Sequence, residues 1–271
     1  MLGENFTFDG IPSSTYSMKS IRTSGGGFLT ETLIGSANIM EVEHPNDFKP
    51  HLQKITRTPI EFTKQFALLD AYDRPKDWTE VDRQLIANWL FHNEYKPITF
   101  SDRPNIVYNV IASANLNLNT INSKGYIEIT FRSNSPYAWK AVREIILPAG
   151  TTTSSSIVIA IDNYIAVDKI YPTILLERET GITSATNVQG WTATPTVAEV
   201  IGVSNALIPT VNKVYINSKY RSITNFDTRE SLYRYKGTTG FDFPYLIKGN
   251  NTFYASKGWK ATIKFQEPII Y

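Results

Sequence analysis

WTEVDRQLIANWLFHNEYKPITFSDRPNIVYNV, residues 78–110, holds the clearest helical periodicity in the chain and, directly behind it, a hairpin. Thr79 is placed to cap the helix start with Asp82 three residues on, each side chain satisfying an amide of the other residue. Val81, Leu85 and Trp89 recur every four residues, and Ile86 and Leu90 widen the stripe. Glu80, Arg83, Gln84 and Asn88 fall opposite. The spacing therefore predicts a helix over 79–91 with one apolar face on a core. It ends near His92 and Asn93 because Pro97 disfavours helical geometry in the residue before it. Residues 98–100 and 106–112 read as two strands joined by the turn SDRPN.

Working outward, most of the chain reads as strand and turn. Phe6-Thr7-Phe8 runs into an Asp9-Gly10 turn, and residues 16–23 read as the next strand. Glycines 25–27 are followed by neither Gly-Lys-Ser/Thr nor a helix, so a hairpin tip is favoured over a phosphate loop. EVEHPNDFKPHLQKITRTP, residues 41–59, is too polar for a core strand and is expected to project from the body. Residues 59–70 return to a strand pattern with Ile60, Phe62 and Phe66 inward, and 115–123 read as an Asn/Thr-rich loop. In GYIEITFR, Ile127, Ile129 and Phe131 alternate with Glu128, Thr130 and Arg132, the mark of a half-buried strand.

A break at SNSPYAW, with Pro136 and Tyr137 at its centre, places a domain boundary there. The expected organisation is residues 1–137 and 138–271. In the second half, residues 157–161, 170–176, 213–217, 251–255 and 259–266 are separated by turn-rich stretches, the spacing of a β-sandwich. In the last of these Trp259, Ala261, Ile263 and Phe265 share a face. Residues 151–156 read as a short loop, and 181–210 give no readable pattern.

Composition narrows function by exclusion. Twenty-seven basic residues against 25 acidic leave no excess positive charge to grip nucleic acid. There is no cysteine, hence no disulfide, thiolate metal site or cysteine nucleophile. The amino terminus lacks a basic segment followed by an apolar run, and nowhere do 18 apolar residues stand together, so we expect a chain that folds in the cytoplasm without membrane insertion. His44, His51 and His92 fit no zinc spacing and read as exposed loop residues. No Gly-x-Ser-x-Gly elbow is present. Asp227, Glu230 and Asp242 are the acids to consider for a glycosidase pair, although Arg229 and Arg234 allow ordinary ion pairing instead. Tyr215, Tyr220, Tyr233, Tyr235, Tyr245 and Trp259 supply aromatics for either a sugar-stacking platform or a core. Of these, Tyr233, Tyr235 and Trp259 are the stacking candidates.

The order of short segments carries more than any one site. FTFDG near the start, PITFSDRPNIVYNV, GYIEITFRSNSPYAW, DNYIAVDKIYPTILLER, KVYINSKYRSIT and FDFPYLIKGNNTFYAS follow one another along nearly the whole chain. This ordered set resembles the distal tail proteins of siphophage-type tailed phages. Tyr164 stands where that family usually has glycine, and residues 41–58 and 181–210 depart from it. The resemblance implies a mainly β chain with one amphipathic helix. The amino-terminal domain would be β-barrel- or sandwich-like and ring-forming, and the carboxy-terminal one a galectin-like β-sandwich. It further implies a homo-hexameric ring in the virion tail tip, with neither enzymatic activity nor cofactor. Its partners would be the tail tube protein, the tail-associated hub protein and receptor-binding proteins, with viral DNA passing through the lumen unbound. The projecting segment, with Glu41, Val42, Glu43, Phe48, His51 and Leu52, supplies the subunit-interface candidates, since it can add to a neighbour's sheet edge. A carbohydrate-binding module recognising host glycans is the alternative, and a glycan-cleaving tail enzyme a third.

Overall fold

The computed structural model describes residues 4–21, 34–43, 49–113, 117–150, 155–162, 169–179, 191–193, 197–199, 211–233, 243–255 and 258–269. The chain divides into two compact units, Met1–Trp139 with residues 270–271, and Lys140–Ile269.

In the first unit the strands are β1 (Phe6–Phe8), β2 (Ile11–Pro12), β3 (Met18–Ile21), β4 (Ala37–Val42), β5 (His51–Arg57), β6 (Glu61–Leu68), β7 (Lys96–Phe100), β8 (Arg103–Ala112), β9 (Asn117–Ile121) and β10 (Lys124–Ser133). The helix α1 (Glu80–Leu90) precedes β7. The main sheet runs β2-β1-β7-β8-β10-β6-β3, with β9 also on β10. Strand β10 is the pivot: β6 pairs along residues 126–132, while β9 and β8 divide the opposite edge between them. Its alternation explains that place, because Ile127, Ile129 and Phe131 are all buried. They meet Phe6, Phe8, Phe66 and Trp89 in an aromatic core. Phe6 stacks on Trp89 with centroids 5.5 Å apart, and Phe66 meets Phe131 edge-on at 6.1 Å.

Thr79 caps α1 as expected: its hydroxyl accepts from the Asp82 amide at 3.1 Å, and the Asp82 carboxylate accepts from the Thr79 amide at 3.3 Å. The buried face, however, is Ile86, Trp89 and Leu90, while Val81 and Leu85 are 64% and 48% exposed. One residue is about 100° of helix rotation, so orienting Ile86 to the core turns Leu85 and Val81 aside. The β7–β8 connection is also tighter than the five-residue turn expected, since Phe100 pairs with Arg103. Where the sequence predicts a loop at 115–123, β9 and β10 form a two-residue hairpin. Asn122 and Ser123 both take positive φ, 51° and 64°, the geometry that matches the twist of flanking strands. A Ser13–Tyr16 3-10 turn likewise replaces the beginning of the strand expected at 16–23.

Strand β11 (Ala138–Lys140) spans the division between the units. The second unit contains β12 (Arg143–Leu147), β13 (Ser155–Ile161), β14 (Thr173–Arg178), β15 (Trp191–Ala193), β16 (Val197–Glu199), β17 (Lys213–Asn217), β18 (Ser222–Asn225), β19 (Gly249–Ala255), β20 (Trp259–Phe265) and β21 (Pro268–Ile269). One sheet runs β12-β20-β14-β17-β18, another β13-β19-β15-β16. Their inward residues build a single core that includes Ile159, Ile174, Leu176, Ile216, Phe253 and Ile263. Strand β20 buries Trp259, Ala261, Ile263 and Phe265, the face its alternation predicts. Glu267, 6% exposed, is held by Lys140 Nζ at 2.8 Å and Arg143 Nη1 at 3.4 Å.

Candidate functional site

The projecting segment is a hairpin of its own. Among the described strands β4 and β5 pair only with each other, matching Ile39 with Ile55, Glu41 with Leu52 and Val42 with His51 across an irregularity between Met40 and Glu41. Thr56, Ile55 and Ile39 are β-branched, which suits extended backbone, yet among the described residues no second layer covers them. Ile39, Met40, Leu52 and Ile55 are 49–57% exposed, and β5 is exposed along its whole length. Two strands alone are at best marginally stable in water. Bare apolar side chains on a ribbon whose outer edges meet no described strand make this the candidate packing surface.

Its root is fixed. The Gly35 amide donates to the Pro136 carbonyl at 3.0 Å, Thr58 donates to Ser36 O at 3.0 Å, and Arg57 Nη1 donates to Gly35 O at 3.3 Å. Glycine is required at 35, since a Cβ there would lie 1.6 Å from the Thr58 carbonyl oxygen. The segment holding Pro136 is locked in turn, with Ile60 N donating to Ser135 O and Tyr137 N to Ser135 Oγ, both at 3.1 Å. The tract around Pro136 and Tyr137 thus anchors the hairpin as well as standing near the end of the first unit.

Of the interface candidates, Glu41, Val42, Glu43, His51 and Leu52 come together on this ribbon. Phe48 lies outside the described residues. The sequence candidates omit Ile39, Met40 and Ile55, which are exposed on the same ribbon as Leu52. Their signal was available as hydrophobic residues recurring within an otherwise polar tract.

The remaining candidates do not converge. Trp259 is a correction: at 3% exposure it belongs to the sandwich core and offers no ring face to a sugar. Alternation along β20 points it inward with Ala261 and Ile263. Tyr233 is 51% exposed and stacks on Phe243 at 6.2 Å, whereas Tyr235 and Asp242 lie outside the described residues, with Arg234, His44 and glycines 25–27. Asp227 and Glu230 sit in the exposed turn after β18, where their amides donate to Asn225 Oδ1 and Thr228 Oγ1. The histidine expectation is corrected in part. His51 is on a strand, and His92 stacks on Phe8 at 5.9 Å while its Nε2 lies 2.8 Å from Trp89 O. Among the described residues no three His, Cys, Asp or Glu side chains are grouped to hold a metal.

Two carboxylates do lie together near the amino-terminal strand. The Asp102 amide donates to Glu4 Oε1 at 3.2 Å. Burial, then the neighbouring Asp102 carboxyl, pushes Glu4 above its ordinary value. The cavity beside them, about 240 Å³, is lined by Phe6, Pro12, Ser13, Phe100 and Pro104 among others, without a base or nucleophile pair. A larger groove, about 680 Å³, is lined mainly by apolar residues, including Ile21, Leu69, Leu118, Ile121 and Tyr126. These features favour packing surfaces over chemistry.

Residues 1–135 match a family model described as phage tail protein N-terminal domain. Among curated proteins, the SPbeta prophage-derived uncharacterized protein YomH of Bacillus subtilis (strain 168) is 25% identical over 128 residues, 47% of this chain. The match spans 48% of that relative's length. Among solved structures, the phage SPP1 Dit protein, described as a paradigm of the hub adsorption apparatus in phages infecting Gram-positive bacteria, aligns with a TM-score of 0.60 at 14% identity. That alignment covers 98% of this chain and 99% of the other. A chain of the phage P2 baseplate in its activated conformation with Ca aligns with a TM-score of 0.54 at 9% identity, over 97% and 98% of the two chains.

Proposed function

On the match of residues 1–135 to the family model described as phage tail protein N-terminal domain, we propose that this chain is a structural hub of a phage tail tip. The observation that carries the reading is the likeness to the SPP1 Dit fold over 98% of the chain, both units included. In this reading the first units associate as a ring of six. The ring joins the tail tube protein on one side to the tail-associated hub protein on the other, and anchors receptor-binding proteins. The second units form galectin-like sandwiches. Assembly takes place in the host bacterial cytoplasm, and the role is structural, without cofactor or catalysis.

The β4–β5 hairpin is the part that reaches the adjoining subunit. An obligate interface buries on the order of 2,000 Å² or more, and the bare apolar ribbon supplies part of that area. A formal net charge of +2 suits a passage through which DNA moves without being gripped.

Light scattering after size exclusion, with negative-stain images of the same peak, tests this reading. A mass near six chains of 30.6 kDa and annular particles are expected. A monomer at every concentration, failing also to associate with tube or hub proteins, would overturn it.

A further inference from the structure

We propose that the surface receiving the hairpin is the groove beside β9 on a second copy of this chain. The inference rests on the ring reading and names the two faces that meet. Strand β9 pairs with β10 alone among the described strands, leaving its other edge open. Ile121 at its end is 81% exposed. The groove of about 680 Å³ continues from this edge over Leu118, Ile21, Leu69 and Tyr126. Ile21, Ala67 and Leu69 form a cluster separate from the main aromatic core, with Tyr126 packed against it. The site is therefore concave, apolar and bordered by a strand edge on which no described strand pairs.

The hairpin presents the complementary features. Leu52 and Met40 are 56% and 57% exposed and match an apolar groove. The acidic Glu41 and Glu43 beside them match Lys124 on the groove wall. An open ribbon edge meeting the open edge of β9 would satisfy backbone groups on both, the strand-addition mode of recognition. None of the hairpin residues lines the groove within one chain, so the two surfaces remain complementary and separate. Different patches on identical chains make a head-to-tail contact, which closes into a ring when the rotation allows.

The absence of cysteine makes the test direct. Chains carrying Leu52→Cys and, with a different tag, Ile121→Cys are co-assembled and oxidised. Leu85→Cys, on the exposed face of α1, serves as the control partner. A disulfide between the two tags for 52 with 121, and little for 52 with 85, is the expected result. Ile121→Glu should also reduce the assembly to monomer while leaving the far-ultraviolet circular dichroism spectrum unchanged, as an exposed site requires. Assembly with cross-linking to position 85, or full assembly of Ile121→Glu, overturns the groove assignment and leaves the ring intact. An unmutated chain that never self-associates overturns both.

Discussion

Two carboxylates of the first unit carry opposite pH signatures. Asp82 is held below the ordinary 3.8, first by the hydrogen bond from the Thr79 hydroxyl, with the Thr79 amide and Lys76 adding to it. A depressed acid contributes stability above its unfolded value and loses it as pH falls through the folded one. Asp82→Ala should therefore cost about 1 kcal/mol at pH 7, typical of a lost cap, with the deficit shrinking once pH drops below 3.8. Urea titrations at pH 7 and pH 3 check this. Glu4 is shifted the other way from 4.5, by burial and then by Asp102. Its folded state holds the proton more tightly, so its contribution weakens as pH rises from 4.5 through the raised value. Glu4→Gln keeps an acceptor for the Asp102 amide and removes the charge. It should raise the melting temperature at pH 7 and have little effect well below pH 4.5. A lower melting temperature at neutral pH would contradict that account.

At the scale of elements, α1 and the hairpin depend on different things. Trp89 anchors the helix: it is 5% exposed, packs against Phe6, Phe8 and Tyr16, and donates from Nε1 to Phe8 O at 3.2 Å. Trp89→Ala should cost about 3–5 kcal/mol, whereas Leu85→Ala, on the exposed face, should stay within about 0.5 kcal/mol. Chemical denaturation of the two variants distinguishes this arrangement from the four-residue stripe expected from sequence. The hairpin depends instead on its root. Gly35→Ala would push a methyl into the Thr58 carbonyl, 1.6 Å away, and should release the ribbon. Amide exchange across 37–42 and 51–57 should then rise, with β6 and β10 still protected. Unchanged exchange in the hairpin would show that its root has another support.

Among the described residues each unit has its own main core, aromatic in the first and rich in branched aliphatics in the second. Phe131 and Trp259, 0% and 3% exposed, stand in different ones. Each truncation to Ala should cost about 3–5 kcal/mol in its own unit. Calorimetry of the double variant should show the two losses adding within about 0.5 kcal/mol, as for distant sites without shared partners. Alternation in β10 and β20, the Thr79–Asp82 cap and the Asp9-Gly10 turn could be read from the amino acids because each depends on neighbours a few residues apart. The same local logic identified residues 41–58 as unsuited to a core. Which way α1 rolls was decided by the aromatic sheet beneath it, which took Ile86, Trp89 and Leu90 and left Val81 and Leu85 outside. The β9 strand emerged only with its partner β10, because residues 117–121 have little apolar alternation to announce it. Burial of Trp259 and exposure of Ile39, Met40 and Ile55 were likewise settled by packing. Periodicity assigns a side chain to a face, but the elements arriving from distant sequence determine whether that face is covered.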